Sequence, residues 1–197
     1  MGRNVNNNNQ QQSLLLPTQV TPLTTAITST VTIIDKLTLR VGHAIAWLLV
    51  LMVVVQSLIV ILRYGFDIGS IALQDSVSYL HAACFMLGVA YTLKINGHVR
   101  VDIFYRQFSP QKKAAINLLG AVLFVMPLCV FIFITSFQYV QQAWQFKEHS
   151  SDAGGLPYVY LLKTLIPLMA AGLLLQSIAE IGRSILTLLN HKQDAKV

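Results

Sequence analysis

Residues 41–62, VGHAIAWLLVLMVVVQSLIVIL, run for 22 positions between Arg40 and Arg63 without a charged side chain. A helix needs about 20 mostly apolar residues to cross roughly 30 Å of hydrocarbon, so this run sets the class of the chain. Three further gaps between charges follow: 18 residues from Asp75 to Lys94, 33 from Lys113 to Lys147 and 16 from Lys163 to Glu180. The last gap is short, but Leu156 to Ile181 suffices if Lys163 snorkels its ammonium to the headgroups. Composition agrees: 54% of the residues are hydrophobic, 11% are charged and the mean hydropathy is +0.59, which excludes an ordinary soluble domain. The expected fold is an all-α integral membrane protein with four transmembrane helices, at about 41–63, 74–94, 113–143 and 159–184. They lie within a domain at 33–186, followed by a tail at 187–197.

The chain starts differently. Residues 4–12, NVNNNNQQQ, form an Asn/Gln tract that passes into a Thr/Ser-rich stretch. Such a composition cannot build a core, so residues 1–32 are expected to be disordered. No basic segment leads directly into a short apolar run with a small-residue cleavage site, and the first span therefore reads as an uncleaved anchor. Just before it, Ile27, Val31, Ile34 and Leu37 recur at helical spacing beside Asp35 and Lys36. That pattern suits either a short helix lying in the membrane interface or an N-terminal extension of the first span.

Orientation follows from Lys and Arg, because basic loops are retained in the cytoplasm. Arg3, Lys36 and Arg40 precede the first span; Lys94, Arg100, Arg106, Lys112 and Lys113 separate the second from the third; Arg183, Lys192 and Lys196 follow the fourth. Only Arg63, Lys147 and Lys163 fall in the other two loops, so eleven basic residues against three place both termini and the 94–113 loop in the cytoplasm. The net charge of +6 is then a matter of topology and of attraction to anionic headgroups in membrane lipids, with no nucleic acid implied.

Within that loop, NGHVRVDIFY at 96–105 interrupts the apolar pattern. Gly97 can end the second helix, while Ser109 and Pro110 make an N-cap and first-turn pair for the third. Val101, Phe104, Tyr105 and Phe108 would bury one face of a short in-plane helix. Arg100 and Asp102 read as a clamp on the turn, or else as a solvated pair worth little.

The spans hold few polar groups. Gln56 and Ser57, Gln138 and Gln176 can hydrogen-bond to neighbouring helices, a weak stabilisation of about 0.6 kcal/mol each. Cys84 and Cys129 read as small packing residues. Pro127 and Pro167 remove backbone donors and are expected to interrupt and bend the third and fourth helices. Transport chemistry usually needs ionisable groups deep in a span or broken half-helices facing each other, so it is expected to reside elsewhere. His43 and His81, one in each of two spans, leave a second class open: a four-helix membrane anchor subunit of a redox complex that binds haem between them. Antiparallel helices would hold the two at different depths, which disfavours that class.

LGVAYTLKINGHVRVDIFY, residues 87–105, resembles the signature region of the DctQ family, the small membrane subunit of tripartite ATP-independent periplasmic (TRAP) transporters. There a G-x-H-[VI]-x-V-D pattern follows the second span; here His98, Val99, Val101 and Asp102 fit its H-[VI]-x-V-D part with Arg100 at the variable position, while Gly97 adjoins His98 directly. Downstream, Glu148, Ser150 and Ser151, then GGLP at 154–157, Lys163, Ile166-Pro167 and Leu175-Gln176 are similar in order and spacing to the family's second block. The resemblance covers roughly residues 35–185. Where many members carry a Trp and paired Glu before the second span, this chain has IALQDSVSYL, and only Asp75 is acidic.

The resemblance implies a non-enzymatic, multi-pass subunit of the bacterial inner membrane without a cofactor or bound metal. Its partners would be a large multi-span permease subunit, which carries an organic acid inward with sodium, and a periplasmic substrate-binding protein that delivers it. Gly97, His98, Arg100, Asp102, Glu148, Ser150, Pro157, Lys163, Pro167 and Gln176 are then structural or subunit-interface residues. In the periplasmic loop KEHSSDAGGLPYVYLLK, 147–163, Tyr158 and Tyr160 suit the headgroup region. Lys163 could snorkel outward or reach Glu148 across the loop, and the resemblance favours the second.

Overall fold

The computed structural model describes residues 22–98 and 105–194; side chains from 190 onward are outside the description. Four helices are long and apolar enough to cross a membrane: α1 (Pro22–Gly65), α2 (Ile71–Lys94), α3 (Pro110–Gln145) and α4 (Val159–Asp194). Among the described residues there is no strand. The expected all-α four-span fold is therefore what forms.

The boundaries differ from expectation in one instructive way. α1 is a single helix of 44 residues, about 66 Å at 1.5 Å per residue, and it begins inside the segment expected to be disordered. Of the two readings of Ile27 to Leu37, the continuous extension of the first span is the one observed. The reason is tertiary. Ile34 is buried, and a Cβ added at Gly182 on α4 would lie 2.8 Å from Val31 Cγ2 and 3.2 Å from Ile27 Cγ2. The apolar stripe thus packs on the last turns of α4, which itself continues through the expected tail to Asp194.

Local chemistry explains the helix ends. Ser70 caps α2 by accepting from the Leu73 amide at 3.4 Å, and Ser109 caps α3 by accepting from the Lys112 amide, with Pro110 in the first turn as the sequence leads one to expect. α2 ends in a Schellman turn: Gly97 N–H donates to Thr92 O at 2.9 Å and Asn96 N–H to Leu93 O. The left-handed residue is Asn96, at φ 54°, so Gly97 supplies the closing donor and not the positive φ. Lys147, at φ 46°, plays the Asn96 part at the end of α3, where Glu148 N–H donates to Ala143 O.

Neither proline breaks its helix. Ahead of Pro127 the backbone widens into a π turn at Ala121–Val125, and the Met126 amide reaches back to Ala121 O. A widened turn absorbs the donor that Pro127 lacks. Pro167 lies inside α4, which continues through it.

α4 is the centre of the bundle, packing against α1, α2 and α3 in turn. Its buried positions are mostly small: Ala170, Ser177, Ala179 and Ser184. Small residues let helix backbones approach closely where lipid tails offer no hydrophobic drive for association. Gly42 does the same between α1 and α2, where the Tyr91 ring lies over it. Cys84 and Cys129 are buried and unlinked, as packing residues are.

Candidate functional site

Polar side chains gather at two levels of the bundle. The first is at the end carrying the 94–110 connection. Here Arg183 on α4 places Nη1 3.0 Å from both oxygens of Asp35 on α1, while its Nε and Nη2 donate to Glu180 Oε2 at 3.1 and 2.8 Å. Gln176, fully buried, donates to Asp35 Oδ1 at 3.3 Å and accepts from Thr38 Oγ1 at 2.8 Å. Glu180 Oε1 accepts from Asn117 on α3, whose Oδ1 accepts in turn from the Tyr105 hydroxyl at 3.1 Å. Lys94, at the end of α2, donates to the Asp35 carbonyl at 3.0 Å. One connected network therefore ties all four helices together. Groups this polar are tolerated at a membrane boundary because each charge has a charged or hydrogen-bonding partner.

The second level is at the other end. Lys163 on α4 donates to both oxygens of Glu148, at 2.7 and 2.5 Å, so of the two readings of Lys163 the bridge across the loop is the one formed. Its ammonium also lies 4.0 Å from the Tyr139 ring centroid. Asp75, the one acidic residue of IALQDSVSYL, accepts from the Leu156 amide at 2.9 Å and so fastens the loop to the start of α2. Ser150 N–H donates to Leu156 O at 3.3 Å, folding the loop on itself. Trp144 stacks edge-on against Tyr160 with centroids 4.7 Å apart, and its indole N–H donates to Thr164 at 2.9 Å.

The expected site residues divide between these levels. Gly97, His98 and Gln176 belong to the first; Glu148, Ser150, Pro157 and Lys163 belong to the second. Pro167 lies within α4 between them, and Arg100 and Asp102 fall outside the described residues, as does the first half, 101–104, of the expected in-plane helix at 101–108. Of the four polar residues expected to bridge helices, only Gln176 does so. Gln56, Ser57 and Gln138 are exposed, and the Ser57 hydroxyl bonds within α1 to Val53 O. His43 and His81 are exposed as well, His43 bonding to the Leu39 carbonyl of its own helix. That geometry gives no support to a haem held between them.

Sequence reading missed Asp35, Thr38, Asn117, Glu180 and Arg183. The one local signal was Glu180 and Arg183 at i, i+3, a spacing at which opposite charges meet on a helix. Nothing local points to Asp35 as their partner.

Four helices long and apolar enough to cross a membrane, clamped by ion pairs at both ends, define a small multi-pass membrane protein. The chain belongs to the family described as tripartite ATP-independent periplasmic transporters, DctQ component, which matches residues 49–187. It is accordingly a small permease component of a TRAP transporter, in the inner membrane. Neither a curated protein nor a solved structure matched the chain.

Proposed function

We propose that this subunit is a scaffold for the large permease subunit in sodium-coupled uptake of an organic acid delivered by a periplasmic binding protein, and that it catalyses no reaction itself. The observation that carries the reading is the outer face of α1. Trp47, Val50, Val53 and Val54 are exposed there, and Gln56, on the flank of the same helix, is exposed as well, inside the uncharged run. Lipid can cover the apolar side chains, but an amide facing hydrocarbon lacks a partner and costs free energy. A neighbouring protein surface that hydrogen-bonds Gln56 removes that cost. The ion pairs at both ends are satisfied within the bundle and hold its shape for such a neighbour.

The excess of Lys and Arg supports an orientation with both termini and the 94–113 loop in the cytoplasm. On that orientation Arg100 and Asp102 steady the cytoplasmic turn, and the folded 147–163 loop faces the binding protein. Reconstitution tests the proposal. The chain alone in proteoliposomes should give no sodium-dependent uptake, whereas the three components together should; uptake by this chain alone would overturn it.

A further inference from the structure

α2 turns one narrow face outward. From Ile71 to Phe85 its exposed residues are Ile71, Gln74, Ser78, His81 and Phe85, and every residue between them is wholly or partly covered. Steps of three, four, three and four residues make the narrow stripe of a helix–helix seam, whereas a face that meets only lipid needs no such register. Three of the five side chains are polar. Gly88 comes next on the stripe, and a Cβ added there would meet nothing within 4 Å.

His81 lies at the level of the hydrocarbon. It is six residues from Asp75, which fastens the loop at one membrane boundary, and thirteen from Lys94 at the other, about 9 and 20 Å along the helix. An imidazole is too short to bring its nitrogens to the headgroups from there. Among the described residues neither His81 nor Gln74 has a side-chain hydrogen bond, and the Ser78 hydroxyl donates only to the Gln74 carbonyl of its own helix, at 3.4 Å. Lipid tails offer no donor or acceptor, so an imidazole left against them keeps the cost of its desolvation. Ionisable side chains at such depth face protein or a water-filled cavity.

We infer that this stripe is the seam for one transmembrane helix of the large permease subunit, which packs along Ser78, His81 and Phe85, sets a hydrogen-bonding side chain opposite His81 and comes closest at Gly88. The inference rests on the scaffold reading and adds the face and the groups that dock. Small residues such as Gly88 let two helix backbones approach, and polar side chains between helices add hydrogen bonds. A different chain fits the seam better than a second copy. Two imidazoles facing each other across a two-fold axis share at most one hydrogen bond and leave a donor and an acceptor unpaired.

Photocrosslinking in membranes that hold this chain together with the large subunit tests the seam. Benzoylphenylalanine is placed at Ser78, at Phe85 or at Phe131, which is as exposed on α3 as Phe85 is on α2, 64% against 66%. Ser78 and Phe85 should give adducts to the large subunit, and Phe131 should not. Adducts from the stripe to lipid alone or to a second copy, with the large subunit still copurifying, would overturn the inference and leave the scaffold reading standing. Failure of the large subunit to copurify would overturn both. Equal adducts from Phe131 would also overturn the inference, since the stripe would then be no particular seam.

His81→Leu gives a second readout. It should weaken association with the large subunit about three-fold, the worth of one interhelical hydrogen bond in a membrane, while the thermal unfolding midpoint of the isolated chain does not fall. His81→Gln, which can still donate and accept, should restore association. Unchanged association of His81→Leu, or an equal loss in both variants, would overturn the hydrogen bond at His81.

Discussion

Arg183 grips Asp35 across 148 positions of sequence, with one nitrogen 3.0 Å from each carboxylate oxygen. Lys163 and Arg183 lie twenty residues apart on the same helix, about 30 Å at 1.5 Å per residue, which is the thickness of the hydrocarbon. α4 therefore carries a clamp at each membrane boundary, and the interior it crosses is packed with small residues. The pair with Asp35 joins the first transmembrane helix to the last and so closes the bundle.

Because Asp35 and Arg183 retain about a quarter and a third of their side-chain exposure, their pairing is worth less than a fully buried bridge. Asp35→Asn should lower stability by about 1–3 kcal/mol, read as a fall in the thermal unfolding midpoint of the purified chain. Combined with Arg183→Gln it should cost less than the two single losses added. Strict additivity would show that the two side chains are near each other without being coupled.

At the opposite end, Gly155 has no room for a side chain: a Cβ there would meet Ser150 Oγ, and would lie 2.6 Å from Asp75 Oδ2. Gly155→Ala should push Asp75 away from the Leu156 amide and loosen the loop, costing about 1–3 kcal/mol. Adding Ser150→Ala should restore part of the loss. Faster limited proteolysis within 149–156 is the expected local sign, and an unchanged cleavage rate would argue that the loop accommodates the methyl group freely.

Gly42 sets how closely α1 approaches α2. An added Cβ would fall within 2.7 Å of the Tyr91 ring, so Gly42→Ala should separate the helices and destabilise the bundle by about 1–3 kcal/mol. Tyr91→Leu in the same chain should relieve it. If Gly42→Ala were instead neutral or stabilising through its better helix propensity, the close contact at this crossing would not be needed for the fold.

Much of the architecture was legible because hydrocarbon thickness imposes a length that can be counted between charges. The four spans and the Ser109-Pro110 start of α3 follow from such local signals, while the family was legible as a resemblance of the motifs at 97–102 and 148–176. The bridge from Lys163 to Glu148 was legible only as one of two options, since a long flexible side chain can turn toward water or toward a partner. Gln56 and Gln138 were misplaced for a related reason: a glutamine in an apolar run shows no sign of which side of its helix faces neighbours.

Taken alone, the sequence determined that this chain spans a membrane four times, because that rests on composition and spacing along the chain, and its motifs carried the resemblance to its family. Only the tertiary structure decided that α1 extends back to Pro22 and that Asp35 belongs with Arg183. Each of these depends on which helix faces are brought together, and apolar runs in lipid leave that choice to small residues and paired charges far apart in sequence.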